Sequence, residues 1–141
     1  MTPNQEKATS YLSMIRGIEK DLHSMRIELD ALTYKAGGMS AIRYDKDHVK
    51  TSPSNNYMDM IVEDMIALEK KIAKGEKNIE KKKGKAYAIV RRIESPEHRA
   101  FIEWYYFNGL SMIETAAKMN VAERTSYYLR DDALEEFGKL L

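Results

Sequence analysis

Ten cationic side chains, Lys70, Lys71, Lys74, Lys77, Lys81, Lys82, Lys83, Lys85, Arg91 and Arg92, stand against three acids over residues 68–92. That is a local charge of +7 in a chain whose net charge is +1. The chemistry such a run offers is neutralisation of phosphates, with counterion release and a steep salt dependence. Its blander reading is the solvated face of a long helix. A membrane-surface role has less behind it, because the lysines lack a wide apolar counterpart. The remaining charge is uneven too. Residues 93–141 hold five basic against nine acidic side chains, residues 1–36 balance at five each, and residues 37–67 hold three against five.

Catalytic chemistry finds little to work with. There is no cysteine, so thiolate nucleophiles, disulfides and cysteine-bearing zinc sites drop out together. His23, His48 and His98 are scattered, without the i, i+4 spacing of a metal pair on a helix. Asp45, Asp47 and His48 cluster only in an unpatterned stretch. The lysines between Gly75 and Gly84 lack phosphate-loop spacing. No serine, histidine and acid suggest a nucleophile with its base. The chain therefore reads as a non-enzyme with no cofactor and no metal.

The elements that must position these residues are helical. Tyr11, Ile15, Ile18, Leu22, Met25, Leu29 and Leu32 repeat at alternating spacings of four and three, a coiled-coil seam. Between them lie Arg16, Glu19, Lys20, Asp21, Arg26, Glu28 and Asp30 as a solvated set. Gly37-Gly38 reads as a stop, followed by a loop over residues 37–56 rich in serine and asparagine. A second seam runs through Met58, Ile61, Met65, Leu68, Ile72, Gly75, Ile79, Lys82, Ala86, Ile89 and Ile93, with Gly75 and Lys82 as its poor core positions. At 1.5 Å per residue it makes a rod of roughly 54 Å. Matching stripes on two long helices pack antiparallel within one chain, or each finds a partner in another. No apolar run approaches the ~20 residues of a membrane span, and the N-terminus lacks the organisation of a signal peptide. A soluble, intracellular protein is the expectation.

Ser95-Pro96-Glu97 ends the second rod and caps a new helix through Phe101, Ile102, Trp104, Tyr105 and Phe107 to a stop at Asn108-Gly109. Its aromatic residues read as core and core edge. Ser111 and Glu114 form a capping box before a short helix reaching Met119. Ala116 stands four residues before Asn120, a residue type that tolerates a left-handed backbone. A last helix runs from about Ala122 toward Leu140, with Val121 and Leu129 as apolar contacts, and of Tyr127 and Tyr128 at most one can point fully inward. Two short helices joined by a sharp turn have the helix-turn-helix layout, whose second helix enters the DNA major groove with its N-terminal residues at base edges. The fold expected is all-α, with a long antiparallel, coiled-coil-like hairpin over 1–94 and a three-helix unit over 95–141.

Residues 101–134 resemble region 4 of sigma factors in the order of their parts: an aromatic helix, Gly-Leu-Ser at positions 109–111, the helix-turn-helix and Ala-Leu at 133–134. With a long helical hairpin before it, the layout is similar to the RinA/ArpU-like activators of phage late genes in Gram-positive hosts. The resemblance implies sequence-specific binding of double-stranded DNA and recruitment or adjustment of host RNA polymerase. Carried over by position, it places Glu123, Arg124, Thr125 and Tyr128 on the exposed early face of the last helix, with Arg130 further along. Arg124 would meet guanine in a bidentate contact and Thr125 a thymine methyl or a phosphate. Ser111 and Lys118 would approach the backbone, with Lys81, Lys82, Lys83, Lys85, Arg91 and Arg92 as further phosphate contacts. The sequence departs from the pattern at Thr115 and Ser126, both normally apolar, and in the acids Asp131, Asp132, Glu135 and Glu136, which DNA repels.

The expectation is a phage or prophage transcriptional activator in the bacterial cytoplasm, with the seams able to join two copies so that two last helices read two half-sites. A DNA-packaging component of the small-terminase kind is one rival. A helical adaptor that binds a host protein and no DNA is the other.

Overall fold

Each of the three prolines opens a helix. In a computed structural model, α1 spans Pro3–Asp45, α2 spans Pro53–Val90 and α3 spans Pro96–Phe101. Proline suits this first position because its fixed φ is already helical and its missing N–H would have had no helical acceptor. Thr2 completes the start of α1, since its hydroxyl accepts from Gln5 N at 3.1 Å while Gln5 Oε1 accepts from Thr2 N at 2.9 Å. Ser95 does the same for α3, accepting from His98 N at 3.4 Å. Two helices follow, α4 at Met112–Met119 and α5 at Glu123–Leu140. The fold is all-helical, as expected. The structure describes residues 1–45 and 53–141, with side chains for 1–37 and 56–141.

The expected stop at Gly37-Gly38 is overturned. α1 passes through both glycines to Asp45, and α2 begins at Pro53, so the loop assigned to 37–56 is helical over 37–45 and 53–56. A glycine ends a helix only when its backbone turns left-handed. Left in helical conformation it costs about 1 kcal/mol relative to alanine, which a long helix absorbs. The rest of that loop, and the side chains of Asp45, Asp47 and His48, lie outside the described residues.

The chain forms two compact units, one of residues 22–76 and one of residues 1–21 with 77–141. The sequence reading divides it at 94/95, where the serine and proline cap starts a new helix. In unit 22–76 the two helices meet through Leu22, Met58, Ile61, Leu68 and Ile72, all buried, with Met25, Leu29, Leu32 and Met65 half-buried. Gly75, a weak seam position by composition, has a packing role. A Cβ there would lie 2.7 Å from Leu22 Cδ2, so the missing side chain makes room for Leu22. Arg26 and Glu76 pair at 3.4 Å on the exposed surface, a contact worth little.

The other unit has its own core. Ala8, Leu12 and Ile15 of α1, Ile79, Ala86 and Val90 of α2, and Ile93 are buried together with Phe101, Ile102, Tyr106, Phe107, Leu129, Ala133, Leu134 and Phe137. Aromatic pairs join distant segments, Tyr11 with Phe137 at 5.9 Å between ring centres and Tyr87 with Phe107 at 4.6 Å. Beyond Phe101 the helix widens over Ile102–Phe107 into a π-helical segment, closed by Asn108 N donating to Glu103 O at 2.9 Å. The buried residues explain the widening. Phe101 and Tyr106 are five apart, and so are Ile102 and Phe107. Five residues of α-helix rotate a side chain about 140° away, whereas i→i+5 hydrogen bonding brings both pairs toward one face.

Gly138 permits a very close approach in this unit. A Cβ on it would fall 2.0 Å from the backbone oxygen of Asn4 and 2.5 Å from its carbonyl carbon, so only glycine lets α5 lie against the first turn of α1. Gly84, also helical, has open space where its Cβ would be. Gly84→Ala is expected to stabilise the protein by roughly 0.5–1 kcal/mol through helix propensity alone. Gly138→Ala is expected to destabilise it despite the same gain. Urea titration of both variants checks the pair, and a stabilised Gly138→Ala would refute the close approach.

Candidate nucleic-acid interface

The α4–α5 pair is built from local interactions. Ser111 Oγ accepts from Glu114 N, and Glu114 Oε1 accepts from Ser111 N, each at 3.1 Å, which is the expected capping box. Hydrogen bonds from the Ser111 backbone and then its hydroxyl hold the Glu114 carboxyl below its ordinary value of 4.5, with a smaller contribution from Lys20. α4 ends at Asn120 with φ 56 and ψ 41, the left-handed turn its residue type allows. Asn120 N donates to Ala117 O at 3.2 Å and Val121 N to Ala116 O at 3.0 Å, so the last carbonyls of α4 are satisfied. Gly109, at φ 69, makes the other sharp turn, before Ser111.

The two departures on these helices are both fully buried, and they differ. Ser126 donates its hydroxyl to Glu123 O within α5, whereas Thr115 Oγ1 has no hydrogen-bond partner among the described residues. With Ser126 and Leu129 taking the inward positions of α5, both tyrosines between them face out, Tyr127 at 41% and Tyr128 at 59% exposure. Neither points inward.

Glu123, Arg124, Thr125 and Tyr128 are all exposed on the first turns of α5. Arg130 is not with them. Six residues after Arg124 it is turned by about 240°, is half-buried, stands 5.3 Å from the Tyr127 ring and lies 3.4 Å from Asp131 Oδ1. Ser111 is exposed, but its hydroxyl is committed to the cap. Lys118 is exposed with Nζ 5.4 Å from the centre of the Trp104 ring. On α2 and just beyond it, Lys81, Lys85, Arg91 and Arg92 are exposed. Lys82 is half-buried at its seam position, and Lys83 is held by Glu19 at 3.1 Å.

The acids of α5 serve the fold in part. Glu135 accepts from the Thr2 hydroxyl and from Asn4 Nδ2 at the positive end of α1, and these two hydrogen bonds, Thr2 first, hold its carboxyl below the ordinary 4.5. Glu136 meets His98 Nδ1 at 2.9 Å. The Asp131 carbonyl accepts from Gln5 Nε2 at 3.0 Å. Asp132 remains exposed.

Arg16 is the residue that sequence reasoning missed. It sits among the solvated positions between seam residues, and nothing in the local pattern marks it. In the fold its Nε donates to Tyr105 O at 3.2 Å and its Nη2 to Leu110 O at 3.1 Å, while the guanidinium lies 4.2 Å from the centre of the Tyr105 ring. It thereby fastens α1 to the end of the π-helical segment and to the approach to α4.

Among the described residues no helix is long and apolar enough to cross a membrane. The family described as Protein of unknown function (DUF1492) matches residues 38–138. No curated protein and no solved structure matches the chain.

Two outcomes follow from the buried polar groups. Thr115→Val removes an unpartnered hydroxyl and is expected to stabilise the protein by roughly 1 kcal/mol, whereas Ser126→Val breaks a satisfied group and overpacks, costing about 1–3 kcal/mol. Equal effects in denaturant titrations would contradict the assignment. A third outcome concerns acid. Because the Glu135 carboxyl is held low in the folded chain, its contribution is present above about pH 4.5 and lost as the pH falls through the lower folded value. The protection of the Gln5 and Glu6 amides, measured against their intrinsic exchange rate at each pH, should fall over that window in the wild type. In Glu135→Gln the step should be absent.

Proposed function

The chain belongs to the DUF1492 family, and we propose that α4, its turn and α5 act as a helix-turn-helix that binds promoter DNA in a transcriptional regulator. One observation carries the reading. α5 is held by its back, through Ser126, Leu129, Ala133 and Leu134, while Glu123, Arg124, Thr125, Tyr127 and Tyr128 stand exposed on its first turns. A recognition helix needs that arrangement, since base edges are read by side chains near its N-terminus. Arg124 makes no hydrogen bond or ion pair among the described residues, which leaves its guanidinium for a guanine edge. Lys81, Lys85, Arg91 and Arg92, exposed in the same compact unit, supply positive charge for phosphates. The likeness of residues 101–134 to sigma region 4, and of the layout to RinA/ArpU-like activators, extends the proposal to contact with host RNA polymerase in a phage-infected or lysogenic bacterium.

Two features set its terms. Arg130 takes no base-reading role, because it faces elsewhere. The engagement of Glu135 and Glu136 within the fold lowers the acidic obstacle noted in the sequence.

The test is fluorescence-anisotropy binding to duplexes flanking the gene and to a scrambled control, across a salt series. Tighter binding to one native fragment is expected, with Arg124→Ala weakening it by about 1–3 kcal/mol, or roughly 5- to 150-fold, at unchanged thermal stability. Arg91→Ala should weaken all duplexes alike and reduce the salt slope by about one. Equal binding to every duplex in the wild type would move the reading to DNA packaging. Absence of binding near physiological salt would move it to a protein adaptor.

A further inference from the structure

Within unit 1–21/77–141 lies a cavity of about 250 Å³, walled by Thr9, Ser13 and Arg16 of α1, Tyr105 and Tyr106 of the π-helical segment, and Arg130 of α5. Two arginines and four hydroxyl-bearing residues are among its lining, and none of the described lining residues is acidic. We propose that this cavity binds a small phosphate monoester.

Each wall contributes to the argument. Arg16 is oriented before any ligand arrives, because two of its five N–H donors are spent on the carbonyls of Tyr105 and Leu110 and its central carbon lies 4.2 Å from the centre of the Tyr105 ring. The other donors of a guanidinium so fixed lose little freedom on binding. Besides the Tyr127 ring, Arg130 has one loose ionic partner among the described residues. Asp131 Oδ1, outside the lining, lies 3.4 Å from both Nε and Nη2, at the long limit of a hydrogen bond. Burial, then Tyr105, pushes the Tyr106 phenol up to about 12, with Arg130 and Arg16 opposing the rise and Asp131 adding to it. At neutral pH it is therefore a protonated donor.

The donor set selects the ligand. A carboxylate brings one charge and two oxygens to donors arriving from three helical segments, whereas a phosphate monoester brings nearly two charges on three non-bridging oxygens, a closer match to two guanidiniums. Size sets the other limit. The cavity holds about eight waters' share of liquid volume, enough for a phosphate group with a few carbons. The inference does not depend on DNA binding, since it concerns the side of α5 turned away from Arg124.

The experiment is calorimetric titration of the full chain with glycerol 3-phosphate in a phosphate-free buffer, with glycerol as the neutral control. Saturable binding that inorganic phosphate competes away is expected, with no heat from glycerol. Arg130→Gln should weaken it at least about tenfold. Gly17 also lines the cavity and has open space at its Cβ position, so Gly17→Leu gives a second variant that favours helix and narrows the site, again with at least about a tenfold loss. No saturable binding of glycerol 3-phosphate, or wild-type affinity in both variants, would overturn the proposal. So would binding of duplex DNA by a chain that ignores glycerol 3-phosphate, since the cavity would then have no ligand of its own.

Discussion

Gly138 and Asn4 meet at a distance that leaves no room for a side chain, and much of the 1–21/77–141 unit follows from that contact. Once α5 lies against the first turn of α1, the Glu135 carboxylate falls at the positive end of α1 and takes hydrogen bonds from Thr2 and Asn4. Gln5 reaches the Asp131 carbonyl, and Tyr11 comes to the Phe137 ring. Residues more than 120 positions apart in sequence thus form one polar and apolar seam. Closing a loop of that length carries an entropic cost that grows only slowly with length, so a few well-made contacts can hold it.

Arg16 extends the same seam along α1. It reaches the carbonyls of Tyr105, in the last turn of the π-helical segment, and Leu110, beyond it, where helical donors have run out. The widened helix and the arginine belong together. The widening turns Tyr106 and Phe107 onto the buried face with Phe101 and Ile102, and it leaves carbonyls at its end that need a donor from elsewhere. A π-helical turn is costly in isolation and recurs where packing or a site demands it. Here packing accounts for it, and the cavity beside Tyr105 and Tyr106 is lined in part by Arg16 and Arg130.

This arrangement gives α5 two faces with different tasks. One is taken up by Ser126, Leu129, Ala133, Leu134 and Phe137 in the core, and it ends at the half-buried Arg130. The other carries Arg124, Thr125 and Tyr128 outward on its first turns. Ser126 and Leu129 take the inward positions, which leaves both tyrosines between them at the surface. The acids beyond them are less available than composition implies, since Glu135 and Glu136 answer to Thr2, Asn4 and His98.

Most of the secondary structure was legible in the residues. Ser111 with Glu114, Asn120, Gly109 and Ser95-Pro96 act over three or four positions, so their chemistry is written where it operates, and the seam residues from Met58 to Ile93 follow from period alone. The glycines at 37 and 38 misled for the same reason, because local propensity marks where a helix can stop and does not say that it must. Tertiary packing decided the rest. It placed Arg16 at carbonyls 89 and 94 residues away, made Gly138 indispensable, spent Lys83 on Glu19, separated Arg130 from Arg124 and widened the aromatic helix. Each of these depends on which surfaces meet. Such meetings join residues remote in sequence, so no window of neighbouring residues contains them.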